Sequence, residues 1–120
     1  MNRDNICDYV ISMFRFYASN GEPDIGTIRN LRATLPTAAI LDLVAVDNTL
    51  RILENEGEDE TVKVIRAVYF ALPDKALRKG DISRRITKYA MNNFNGERTV
   101  WRRLAMARRI CAEERNLRIN

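Results

Sequence analysis

The sequence predicts an all-α protein, a compact bundle of about five to six helices. Three observations carry that reading. Apolar residues recur at three- and four-residue steps along most of the chain, no segment shows the two-residue alternation of a strand, and Gly, Pro and Asn fall between the apolar runs as helix stops. At 120 residues and 46% hydrophobic content, the chain has enough material for one modest core without disulfide or metal staples.

A first helix starts at a cap formed by Asp4 or Asn5 and runs to about Ala18. Its stripe is Ile6, Val10, Met13, Phe14 and Tyr17, and Asn20-Gly21 stops it. That stripe has two destinations, the chain's own C-terminal half or a second copy in a homodimer. After Pro23-Asp24, a short second helix carries Ile25, Ile28, Leu31 and Arg32 and ends before Pro36. A third begins near Thr37, carries Ile40, Leu43, Val44, Leu50 and Leu53, and is broken by Gly57 in the acidic stretch Glu54–Glu60.

A fourth helix spans residues 60–72, with Val62, Ile65, Val68, Tyr69 and Leu72 on one side and Pro73-Asp74 as its stop. Asp81 then caps a fifth, DISRRITKYAMNN, which places Ile82, Ile86, Tyr89 and Asn93 on one face and Arg84, Arg85 and Lys88 elsewhere. A turn over 91–96 leads into the sixth, NGERTVWRRLAMARR onward, at about 96–115.

The net charge of +4 hides a division. Residues 1–60 hold five Arg/Lys against eleven Asp/Glu, a net of −6, whereas residues 61–120 hold fifteen against five, a net of +10. The chain therefore divides into an acidic N-terminal lobe, 1–58, suited to dimerisation or partner contact, and a basic lobe, 59–120, with the electrostatic footprint of a polyanion partner. Histidine is absent and the two cysteines, Cys7 and Cys111, are far apart, which argues against a zinc site or a nucleophile–histidine pair. Carboxylates cluster only in a solvated turn, so no enzyme, catalytic residue, cofactor or metal is expected. The longest apolar run, TAAILDLVAV, is short and contains Asp42, so neither a membrane span nor a signal peptide is expected. The setting is cytoplasmic, with reduced thiols.

The last helix carries the functional reading. With Val100 as zero on a wheel of about 100° per residue, Leu104, Ala107 and Cys111 stay within about 40° and form a buried seam. Arg98, Arg102 and Arg109 fall at about 160–200°, with Ala105 beside them at about 140°. An exposed arginine face next to a small residue suits major-groove entry: guanidinium groups bond guanine edges bidentately and the helix N-terminus meets phosphate. Arg98 and Thr99 lie nearest the reading end, Arg102 and Arg103 continue along the groove or strand, and Arg108 and Arg109 lie far enough on to favour phosphates. Arg84, Arg85 and Lys88 on the preceding helix face the DNA backbone or solvent. Trp101, at about 100°, either packs on the flank or stacks on nucleic acid.

The order of packing helix, capped helix, turn and arginine-bearing helix is that of a helix-turn-helix. VIRAVYF at 64–70, DISRRI at 81–86 and GERTVWRRLAMA at 96–107 resemble the region-4-like domains of bacterial sigma factors and the small phage late-transcription regulators of the ArpU/RinA type. The resemblance covers roughly residues 40–115. It departs in the turn, where 91–96 is longer than in that family and carries Phe94, and at Gly96, which stands where a Ser or Thr cap is expected. It implies a phage or prophage transcription regulator with duplex DNA and RNA polymerase as partners. It also gives Arg98, Thr99, Arg102 and Arg103 base- or phosphate-contacting positions and Val100 and Leu104 core positions. The alternatives are a helical protein-interaction module and a DNA-packaging adaptor of the small-terminase kind.

Overall fold

The computed structural model describes residues 1–118, and all regular structure among them is helical. Helix α1 spans Arg3–Ser19, α2 Ile25–Leu31, α3 Thr37–Asn55, α4 Asp59–Val68, α5 Asp81–Asn92 and α6 Glu97–Glu114. Helix α6 is the hub: it packs on α1, α3, α4 and α5, and α3 in turn packs on α1, α2 and α4. One core results, drawing on both the 1–58 and the 59–120 segments. Val10, Met13, Phe14 and Tyr17 are buried within this chain, so the α1 stripe takes the first of its two destinations.

Local chemistry explains most of the boundaries. Asn2 caps α1, its side chain accepting the Asn5 N–H at 2.8 Å, in place of the expected Asp4 or Asn5; Asp4 instead lies in the first turn, where the helix dipole favours it. Asp24 caps α2 by accepting the Thr27 N–H at 2.8 Å. Four helices end in the same way, with a residue at positive φ just past the cap and a backbone bond reaching back five residues. Gly21 ends α1 (Glu22 N–H to Tyr17 carbonyl), Gly57 ends α3 (Glu58 to Leu53), Phe94 ends α5 (Asn95 to Ala90) and Asn116 ends α6 (Leu117 to Ala112). Glycine or asparagine makes this turn with little strain. Phe94, at φ 55° and 98% exposed, does not.

Helix α4 has no such stop, and here the structure corrects the sequence reading. It ends at Val68 rather than Leu72 because two arginines collect its terminal carbonyls. Arg15, buried on α1, donates to the carbonyls of Tyr69, Ala71, Leu72 and Lys75 at 2.5–2.9 Å, and Arg85 donates to Val68 at 2.7 Å. The chain turns over this clamp, which leaves Tyr69 and Phe70 in the core against Phe14 and Tyr17. Leu72, expected on the apolar side, sits in the turn at φ 48° and is exposed. Asp81 is likewise not a cap. Gly80 takes that position at φ 87°, and the Asp81 carboxylate accepts the Arg78 N–H at 2.7 Å and pairs with Arg84.

A second polar tie joins three helices. Asp42 on α3 accepts the Tyr9 hydroxyl of α1 at 2.9 Å and the Arg115 Nε, at the end of α6, at 2.8 Å. It fixes the C-terminal half of α6 against α1 and α3.

Candidate nucleic-acid interface

The orientation of α6 follows from its buried seam. Val100, Leu104, Ala107 and Cys111 have no exposed surface, so the opposite side of an 18-residue helix must face outward. Arg98, Arg102, Ala105 and Arg109 are exposed on that side. None of the three arginines has a carboxylate within ion-pair distance among the described residues. The helix starts at Gly96, in extended conformation and with no side-chain cap, so its first amide groups and positive dipole end are open to an anion.

The entry angle into α6 is set by contacts on both sides of the turn. The five-residue back-bond at Phe94 closes α5, and the Thr87 hydroxyl of α5 donates to the Glu97 carboxylate in the first turn of α6. Helix α4 packs against both helices. Its Glu60 carboxylate sits beside Lys63, the Tyr89 hydroxyl and Arg103 and lies below the usual carboxylate range, chiefly through the Lys63 hydrogen bond. Part of the acidic stretch is thus neutralised internally.

The remaining basic residues separate by environment. Lys88 is exposed, and Arg84 is exposed but paired with Asp81. Arg85 is half-buried on the α4 carbonyl, Arg103 is half-buried beside Glu60 at 3.7 Å, and Thr99 is half-buried. The outward set is therefore Arg98, Arg102 and Arg109 on α6 with Lys88 on α5. Arg85 and Arg103 have structural partners within the chain.

Two further arginines have structural roles: Arg15, which the sequence pattern does not single out, and Arg108, which it places with Arg109 on phosphates and which instead turns inward. Arg15 is the clamp described above, and Arg108 donates to the buried Tyr69 hydroxyl at 2.8 Å. Position 108 lies about 80° from Val100 on the wheel, at the margin of the seam, which is the signal that it reaches inward. Trp101 is 43% exposed, on the open side of the flank rather than in the core. Both cysteines are free: Cys111 is buried, its thiol pushed up to about 12 by burial, and Cys7 is half-buried on α1.

Compared with protein-family models, with curated proteins and with solved structures, the chain has no match. No helix among the described residues is long and apolar enough to cross a membrane.

Proposed function

We propose that this protein is a duplex-DNA-binding regulator of transcription in which α5, the turn at 93–96 and α6 act as a helix-turn-helix. The observation that carries this reading is the α6 stripe: three exposed arginines without carboxylate partners, opposite a seam of zero exposure, on a helix whose N-terminus is open. Arginine is the side chain suited to reading guanine O6 and N7 together, and unpaired guanidinium groups release counterions when they meet phosphate. Arg98 and Arg102 read base edges near the start of α6, Thr99 supports them, and Arg109 and Lys88 neutralise the backbone. The resemblance of 64–70, 81–86 and 96–107 to sigma region-4-like domains and phage late regulators supports a role beside RNA polymerase in the cytoplasm.

The test is selection of bound sequences from random duplex DNA at two salt concentrations, followed by titration of the selected site. Arg98→Ala should relax the sequence preference, whereas Arg109→Ala should weaken all sequences alike. Trp101, the only tryptophan, is a native fluorescence reporter on the proposed reading helix. Absence of binding to any duplex at low salt would remove this role. A ring-sized solution mass with DNA binding intact would favour the packaging adaptor.

A further inference from the structure

A groove of about 1200 Å³ lies between α1 and the C-terminal two-thirds of α6. Its floor includes Cys7 from α1 and Met106, Ala112 and Leu117 from α6 and the segment after it. All four are half-buried in the monomer, so each still shows apolar surface to an occupant. The exposed Arg3, Arg102, Arg109 and Arg118 also line it, none with a carboxylate at ion-pair distance among the described residues. Two acids, Asp4 and Glu113, share the rim, and the arginines outnumber them.

We infer that this groove is a docking site for an acidic amphipathic helix of a partner protein, a function beyond DNA reading that shares Arg102 and Arg109 with it. The shape fits such an occupant. The α6 wall runs from Arg102 to Glu113, roughly 17 Å or three helical turns, and a helix of that length and about 10 Å diameter fills a volume of the same order as the groove. Small side chains at Ala105 and Ala112 allow close approach of a third helix between the two walls. The chemistry fits as well: an apolar stripe covers the floor while flanking carboxylates meet the arginines, the helix-in-groove mode of recognition with complementary charge. Duplex DNA satisfies the arginines but has no apolar face for the floor. A second copy does not supply the occupant either. The chain's own acidic stretch, Glu54–Glu60, joins the end of α3 to the start of α4 and has no apolar residue, and the α1 stripe is already buried.

Cys7 makes the test direct, because it is a half-buried thiol in the groove whereas Cys111 is fully buried. The probe is a synthetic helical peptide of about three turns with leucine along one stripe and glutamate on its flanks. It should bind the intact protein and slow maleimide labelling of Cys7 by at least about fivefold, with Arg102→Glu and Arg109→Glu each weakening it by about tenfold. Cys7→Trp, which fills the groove from the α1 side, should abolish peptide binding and leave duplex-DNA binding unchanged. That result separates this inference from the DNA reading. Arg3→Glu alters an exposed rim residue outside the DNA-reading set and keeps the test valid if the tryptophan variant fails to fold: it should weaken the peptide and leave duplex-DNA binding unchanged. Equal binding of a peptide with lysine in place of glutamate would overturn the proposal, as would unchanged Cys7 labelling. Protection by decanoate as strong as that by the peptide would also overturn it, and assign the groove to small anionic amphiphiles.

Discussion

The guanidinium of Arg15 donates to the main-chain carbonyl of Tyr69 at 2.9 Å, 54 positions along the chain, and extends the same fork to Ala71, Leu72 and Lys75. A helix that ends on glycine satisfies its last carbonyls with its own backbone. Helix α4 ends without one, so α1 supplies donors from outside, and the loop that leads to α5 is shaped around a side chain of the opposite half. This couples the placement of α5, and through it α6, to α1. Removing the fork leaves several half-buried carbonyls unpaired at about 1–3 kcal/mol each before water compensates. Arg15→Met should therefore cost about 3 kcal/mol in chemical denaturation. Arg15→Lys should recover little, since one ammonium does not span the four acceptors. A lysine variant as stable as the native protein would show that charge, not the planar fork, holds this turn.

The clamp also marks where sequence reading stops. Five of the six helices were legible to within a few residues, because caps, prolines and glycines act locally and the apolar stripes have helical spacing. The seam of α6 was legible for the same reason. Arg15 was not: it lies about 180° from Ile6 on the α1 wheel, the side that periodicity assigns to solvent. Its burial comes from the loop after α4 folding over that side, a contact between segments far apart in sequence. The early end of α4 and the exposure of Leu72 follow from the same contact and were invisible with it. At the candidate site, helical phase identified the outward arginines and set Arg103, about 60° from Val100, at the margin of the seam, but it did not show the partners of Arg85 and Arg103, which come from another helix.

Phe94 occupies the left-handed position after α5 that Gly21, Gly57 and Asn116 occupy after their helices. A bulky residue in that region is strained by roughly 1–2 kcal/mol, and the ring, 98% exposed, gains no packing in return. Phe94→Gly should raise stability by about 0.5–1 kcal/mol, the relief of strain exceeding the added entropy of the unfolded chain. Phe94→Asn should act in the same direction. Thermal melts of the two variants check this, and a loss of stability in both would place the ring in contact with the fold.

The pH dependence has a definite sign on each side. All four tyrosines lie above their ordinary range, each chiefly through burial, with Asp47 reinforcing the effect at Tyr17, Asp42 at Tyr9 and Glu60 at Tyr89; Cys111 is raised to about 12 by burial. Groups raised on folding contribute their full stability below the unfolded values, near 8.5 for thiol and 10 for phenol, and lose it as pH climbs toward the folded ones. Helicity and phenolate absorbance should therefore change together above about pH 10 rather than tyrosine by tyrosine. On the acid side, Asp24 and Asp81 are held low by the Thr27 and Arg78 amides and Glu60 by Lys63. Their contribution is present above the usual carboxylate range and fades as pH falls through it, so unfolding should become easier below about pH 4. A phenolate titration complete before helicity is lost would contradict the burial of the tyrosines.

The two environments of the basic residues give the most discriminating expectation. Arg85 holds the last carbonyl of α4 and Arg103 stands beside Glu60, whereas Arg98 and Arg102 touch no carboxylate among the described residues. Arg85→Ala should lower stability by about 1–2 kcal/mol because it strands a half-buried acceptor. Arg103→Ala should cost under about 1 kcal/mol, since Lys63 and Tyr89 remain on Glu60. Arg98→Ala and Arg102→Ala should leave the melting curve within about 0.5 kcal/mol of the native protein, as exposed unpaired residues do. In DNA titrations the order should invert. If Arg98 or Arg102 binds a phosphate, its alanine variant lowers the slope of log affinity against log salt by about one; if it binds a base edge, the variant weakens the selected site by roughly 1–3 kcal/mol. Measuring stability and DNA affinity on the same four variants thus tests fold and function together. If the exposed pair changes neither, α6 is a packing helix with a solvated basic face, and the DNA reading falls while the fold stands.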